Sequence, residues 1–136
     1  MPNFLSDEWI KALQVDVNQS EPYAKAAERW EGDFYFIITP KGSMTAPVIY
    51  YVDLWHGKCR DAYLVTSEDE KEPVFRMTAP LSVWEKVVTK KLDVIQGLMT
   101  RQIKLKGNMA MIMRNVKAAQ ELVECCTHIE TAFPSE

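Results

Sequence analysis

Glycine is scarce, histidine scarcer: the 136-residue chain holds 5 glycines and 2 histidines. No glycine-rich phosphate cradle, serine-centred elbow or paired-carboxylate arrangement stands out, so the common signatures of nucleotide and hydrolytic chemistry are missing. His56 and His128 lack partners at metal-ligand spacing. Asp53, His56 and Cys59 lie three apart across an expected strand and turn, which aims them in different directions. The expectation is therefore a protein without cofactor, metal or catalytic centre. Cysteine is also sparse, with Cys59, Cys125 and Cys126 an odd set, and Met1 to Ser6 runs straight into Asp7 and Glu8 with nothing resembling a secretory signal. A disulfide framework is thereby disfavoured and a reducing cytoplasm is expected. Cys125 and Cys126, adjacent on an expected helix, point about 100° apart and read as small buried hydrophobes. No apolar run approaches the roughly 20 residues that cross a bilayer, so any membrane contact is peripheral.

A cationic excess is missing too. The formal net charge of -3 argues against nonspecific nucleic-acid binding. The average hides an asymmetry, because residues 81–120 contain eight basic side chains against two acidic ones. Lys90, Lys91, Arg101 and Lys104 belong to this stretch. It reads either as a solvated helix and strand face or as a surface that meets an anionic headgroup.

What is present suffices for one core: 47% of residues are hydrophobic and 26% charged, and residues 1–136 read as a single domain. Ser6 before Asp7 and Glu8 starts a helix with Trp9, Ile10, Leu13 and Val17 on one face. Ser20, Glu21 and Pro22 start a second, with Trp30 still at helical spacing and Gly32 as its stop. Phe34 to Ile38 is apolar on both alternating faces and predicts a central strand covered on two sides. Pro40 to Pro47, with Lys41, Gly42 and Ser43, has a turn composition. Val48 to Trp55 and Cys59 to Thr66 complete an antiparallel meander, followed by an acidic loop from Ser67 to Glu72. A fourth strand (Val74 to Thr78) precedes a helix with Leu81, Trp84, Val87 and Val88 on one face, closing at Lys90-Lys91. Asp93 caps a short helical turn with Val94, Ile95, Leu98 and Met99. Ile103 and Leu105 alternate with Lys104 and Lys106 in a fifth strand, and Asn108 caps a long final helix with Ile112, Val116, Ala119, Val123 and Cys126 on its stripe.

Methionine is the informative excess. Met99, Met109, Met111 and Met113 surround the last strand and the start of the last helix. Flexible thioethers there either line a deformable apolar cavity or fill gaps in a solid core. Periodicity does not separate a packed core from a lipid tunnel.

Order and spacing of short motifs decide further. Trp84-Glu85-Lys86-Val87-Val88, Lys91-Leu92-Asp93, Gly97-Leu98-Met99 and Ile103-Lys104-Leu105-Lys106-Gly107-Asn108-Met109 together resemble the sterol carrier protein type 2 family. The resemblance covers about residues 20–130, and the first 19 residues stand outside it as a lid, a dimer contact or simple packing. It implies an α+β fold: a five-stranded mixed, mostly antiparallel sheet with helices layered on one face around an internal apolar tunnel. By the same resemblance the tunnel binds a fatty acid, acyl-CoA, phospholipid or sterol noncovalently. The implied lining residues are Trp84, Val88, Ile95, Leu98, Met99, Met109, Ile112, Met113 and Val116, with Phe36 and Ile38 from the central strand. Lys90, Lys91, Arg101 or Lys104 would hold a headgroup. A second reading is a protein-interaction or dimerisation module docking on a partner enzyme, and a homodimer is left open.

Overall fold

The computed structural model describes residues 1–40 and 44–134. The turn expected at Lys41, Gly42 and Ser43 thus lies outside the described residues. Helix α1 (Asp7–Gln19) begins where the Ser6 hydroxyl accepts the Trp9 N–H at 3.1 Å, with Asp7 and Glu8 in the first turn. Helix α2 (Glu21–Ala26) repeats the device, Ser20 accepting from Tyr23 N at 3.1 Å and Pro22 seated in the first turn. This helix ends at Ala26, so Trp30 and Gly32 are not its tail. Gly32 lies in strand β1 (Glu31–Thr39), opposite Leu54, where an added Cβ would stand 3.1 Å from the Phe75 ring. The glycine answers a close packing contact rather than a helix stop.

Strand β1 pairs antiparallel with β2 (Val48–Trp55), which pairs antiparallel with β3 (Lys58–Val65). His56 and Gly57, both at positive φ (50° and 79°), form the two-residue turn between β2 and β3, the handedness that matches strand twist. On its other edge β1 pairs parallel with β4 (Phe75–Pro80), and β4 pairs antiparallel with the short edge strand β5 (Lys104–Lys106). The sheet order is β3-β2-β1-β4-β5. It is the mixed, mostly antiparallel five-stranded sheet expected, with one parallel pair at its centre.

Alternation along β1 explains why the segment is apolar throughout. Phe34, Phe36 and Ile38 face the helices, together with Tyr50, Val52 and Leu54 of β2 and Phe75, Met77 and Ala79 of β4. Tyr35 and Ile37 face the other way and join Ile49 and Tyr51 in a second, smaller core. The acidic segment after β3, which contains a 3-10 turn at Glu68–Glu70, is anchored to this outer face. The Tyr35 hydroxyl lies 2.9 Å from Glu68 O and accepts the Lys71 N–H at 2.9 Å, while the Lys71 ammonium sits 5.4 Å from the Tyr51 ring centroid.

Helices α3 (Leu81–Val88), α4 (Val94–Met99), α5 (Met109–Met113) and α6 (Val116–Thr127) pack with α1 and α2 on the inner face. Lys90 closes the turn after α3 in the left-handed region (φ 62°), with Lys91 N bonded to Lys86 O at 2.8 Å. The single long final helix expected from Asn108 is in fact two. Asn115, at φ -127° and ψ 35°, interrupts it: its N–H bonds Ile112 O at 2.9 Å and its side-chain amide takes Met111 O at 2.7 Å. A short polar side chain that bonds the carbonyl four residues back offers the backbone an alternative to the regular ladder. No helix among the described residues is long and apolar enough to cross a membrane.

Candidate functional site

Between the inner sheet face and the helices lies a cavity of about 90 Å³. Its floor is Phe34, Phe36 and Ile38 of β1, Tyr50 and Leu54 of β2 and Met77 of β4. Trp84, Val87 and Val88 of α3, Val94 of α4, Ile112 of α5 and Ala118, Ala119, Leu122, Val123 and Cys126 of α6 form the roof. Aromatic packing closes parts of the wall: Phe4 is edge-on to Trp9 (centroids 4.9 Å apart) and Trp9 is stacked on Tyr50 at 5.8 Å. Trp30, Phe34 and Phe75 stack at 5.0–5.7 Å, and Phe36 meets Trp84 edge-on at 5.8 Å.

Three indole N–H groups and one phenol of the wall are engaged by the protein itself. Trp9 Nε1 donates to Thr131 Oγ1 at 2.8 Å, Trp30 Nε1 to Gly32 O at 3.0 Å, Trp84 Nε1 to Ile37 O at 2.9 Å and the Tyr50 hydroxyl to Ser6 O at 2.9 Å. Apart from the Asn115 amide and the Tyr23 phenol, what remains facing the hollow is hydrocarbon, thioether and thiol. Burial holds the phenols of Tyr23 and Tyr50 neutral, well above the usual tyrosine range. Burial likewise pushes the Cys125 thiol up to about 12 and the Cys126 thiol, which faces the cavity, higher still. A thiol so held is a poor nucleophile. An apolar hollow of this kind stays dry, since a trapped water needs polar partners. Asn115 is the one amide in the wall, at the break between α5 and α6. With Phe36, Ala119, Leu122 and Val123 it is among the wall residues only partly covered, so the wall is thinnest at the α5–α6 break and along the middle of α6.

Of the residues singled out from the sequence, Phe36, Ile38, Trp84, Val88 and Ile112 meet around the cavity. Ile95 and Leu98 are buried in the main core outside its wall, and Val116 is half-buried against that core. Met99, Met109 and Met113 lie at the surface, 63%, 37% and 40% exposed. The five-residue α5 has one buried position, Ile112, and the methionines at 109 and 113 turn outward with its exposed side. Of the four candidate headgroup cations, Lys90 bonds Glu124 of α6 at 2.7 Å, and Lys91 and Arg101 are exposed. Lys104 points to the outer sheet face, because its neighbour Leu105, opposite Met77, packs inward.

Sequence reasoning left the N-terminal segment outside the site, yet Phe4, Trp9, Ile10 and Leu13 form part of its wall. The apolar stripe of α1 signalled burial without saying against what. Among the described residues no group of three or more His, Cys, Asp or Glu side chains comes together to hold a metal ion.

Comparison with known proteins places this geometry. No curated protein sequence matches the chain. A crystal structure of sterol carrier protein 2 is 34% identical, covers 93% of this chain and 99% of its own, and superposes with a TM-score of 0.86. The solution structure of a conserved hypothetical protein from Thermus thermophilus, described as possibly a sterol carrier protein, is 33% identical, with coverage of 99% and 94% and the same TM-score of 0.86. The solution structure of palmitated SCP2L2 from Aedes aegypti, 19% identical over 80% of this chain and 88% of its own, has a TM-score of 0.56 and shares the fold. The model of the SCP-2 sterol transfer family matches residues 10–120. With most of its length matched, the chain belongs to the SCP-2 sterol transfer family.

Proposed function

We propose that the protein carries a lipid noncovalently, with the hydrocarbon chain lodged between sheet and helices against Phe36, Ile38, Trp84, Val88 and Ile112. The observation that carries this reading is the apolar hollow from which three indole N–H groups and the Tyr50 hydroxyl are bonded away. Each methylene moved from water into such a space contributes about 0.8 kcal/mol, so affinity follows from chain length without a polar recognition motif. A cavity of 90 Å³ is smaller than the roughly 150 Å³ of an engineered apolar cavity that admits benzene. Uptake of an acyl chain therefore requires the α3–α6 roof to move outward. The polar end of the ligand emerges where the wall is thinnest, beside Asn115. Family membership supports lipid binding in general, and a fatty acid or acyl-CoA is the ligand class that the featureless wall suits best; the palmitated Aedes aegypti protein of the same fold agrees with it. The reading includes no catalytic step and places the carrier in the cytoplasm. A docking module for a partner enzyme needs no hollow, which is why we favour the carrier.

Native mass spectrometry of freshly purified protein tests the proposal, with titration of a fluorescent fatty acid into delipidated protein as the second arm. Copurified lipid and saturable uptake are expected. An empty protein that neither takes up the probe nor gains thermal stability from palmitate would overturn it.

A further inference from the structure

The buried side of α5 forms cavity wall through Ile112, while Met109, Ala110 and Met113 of the same helix are exposed. Spaced four apart, Met109 and Met113 stand on one face. Arg114 and Lys117, also exposed, follow directly. From residue 94 to residue 120 the chain has no acidic side chain. Arg114 makes no ion pair among the described residues, and Lys117 makes only a loose one, 3.5 Å from Glu121 with its side chain 75% exposed.

We infer that this face of α5 docks on an anionic lipid bilayer, the two methionines entering the acyl boundary and Arg114 and Lys117 meeting headgroup phosphates. Charge complementarity favours a bilayer, since exposed cations, one without an ion pair among the described residues and one loosely paired, beside apolar side chains match an anionic surface with a hydrocarbon layer beneath it. Area disfavours a second copy of the chain or another protein. A five-residue helix exposes far less than the roughly 800 Å² per partner of a standard protein interface, whereas headgroup attraction accumulates cation by cation. Unbranched, flexible methionine also adapts to an irregular fluid surface. The inference deepens the carrier reading and rests on it for its purpose: a helix that is at once cavity wall and docking face couples arrival at a membrane to outward movement of the roof. Lys104 and Lys106, on the outer face of the sheet, take no part.

Flotation of the full chain with vesicles of phosphatidylcholine, alone or mixed with phosphatidylglycerol, tests it. Binding is expected on the mixed vesicles only, weakening as salt rises. Met109→Ser with Met113→Ser, and separately Arg114→Glu with Lys117→Glu, should each lower partition by about tenfold or more. An acid at 117 is favoured by the dipole in the first turn of α6 but faces Glu121 four residues on, and an acid at 114 sits at the end of α5, so circular dichroism and thermal unfolding check that the charge-reversal variant keeps its fold. Fluorescent fatty-acid affinity in solution should be unchanged in the methionine variant. Equal partition onto both vesicle types, or partition indifferent to either pair of substitutions, would overturn the docking site. So would a self-association, seen by sedimentation, that the methionine substitutions abolish. Loss of fatty-acid uptake by the unaltered protein with vesicle binding intact would count against the carrier reading instead.

Discussion

Ala118→Leu asks whether the interior is hollow through the sign of a stability change. Ala118 is 7% exposed, lies on α6 and faces the cavity. Leucine adds three carbons, which contribute about 2.4 kcal/mol when moved from water into an apolar space at about 0.8 kcal/mol each. Side-chain ordering costs about 0.5–1 kcal/mol, and helix propensity is nearly neutral. Filling the whole 90 Å³ at about 24 cal/mol per Å³ sets a ceiling near 2 kcal/mol. The expected net is a gain of about 1–1.5 kcal/mol, read as a rise in Tm of about 3–6 °C for a domain of this size. In a solid core the same substitution costs about 1–3 kcal/mol, because it forces neighbours off their rotamers. The measurement is thermal and urea unfolding of delipidated protein, paired with fatty-acid titration. Affinity should fall by as much as about 50-fold, since the new side chain takes the space of three methylenes. A lowered Tm together with unchanged affinity would refute both the hollow and its role.

Trp84→Phe removes the Nε1 donor from Ile37 O and part of a buried ring; it should cost about 2 kcal/mol or more in urea unfolding, from the carbonyl left short of a partner and the enlarged hollow together. Gly107→Ala places a Cβ 2.6 Å from the Phe75 ring at a φ of 138°, and a loss of about 2 kcal/mol or more should appear in the same assay. Burial raises the three thiols, Cys59 and Cys125 to about 12, so the unfolded chain releases those protons first. Their stabilising contribution is full below the unfolded thiol pKa of about 8.5 and is lost as pH climbs from there toward the folded values. The urea midpoint should therefore fall between pH 7.5 and pH 10, and replacing all three cysteines by alanine should flatten that decline.

Much of the fold was legible because burial leaves a period in the chain. Unbroken apolarity from Phe34 to Ile38 announced a strand covered twice, although its second cover is an irregular acidic segment held by Tyr35 and Lys71 rather than a layer of helix. The hollow was less legible, because a residue facing an empty space and one facing a neighbour have the same hydropathy. The methionines illustrate this: with Ile112 the buried position of α5, Met109 and Met113 turn outward, and beyond the break at Asn115, which ends the register begun at Asn108, Ala118, Leu122 and Cys126 reach the cavity. That break arises from one amide bonding Met111 O, a competition between side chain and backbone that no apolar stripe records. The role of α1 escaped for a different reason: its stripe was plain, but its opposing surface comes from strands and helices scattered over the rest of the chain.

The miniature core on the outer face has a dynamic consequence. Tyr35, Ile37, Ile49 and Tyr51 clamp the middle of the sheet independently of the helices, so the strands stay registered while the helical layer breathes. Loosening can then be confined to one storey of the molecule as a sub-global opening of low free energy. Amide exchange should follow that division, with slow protons in the central strands and faster ones in α3 to α6, letting the protein open its upper floor without risking its foundation.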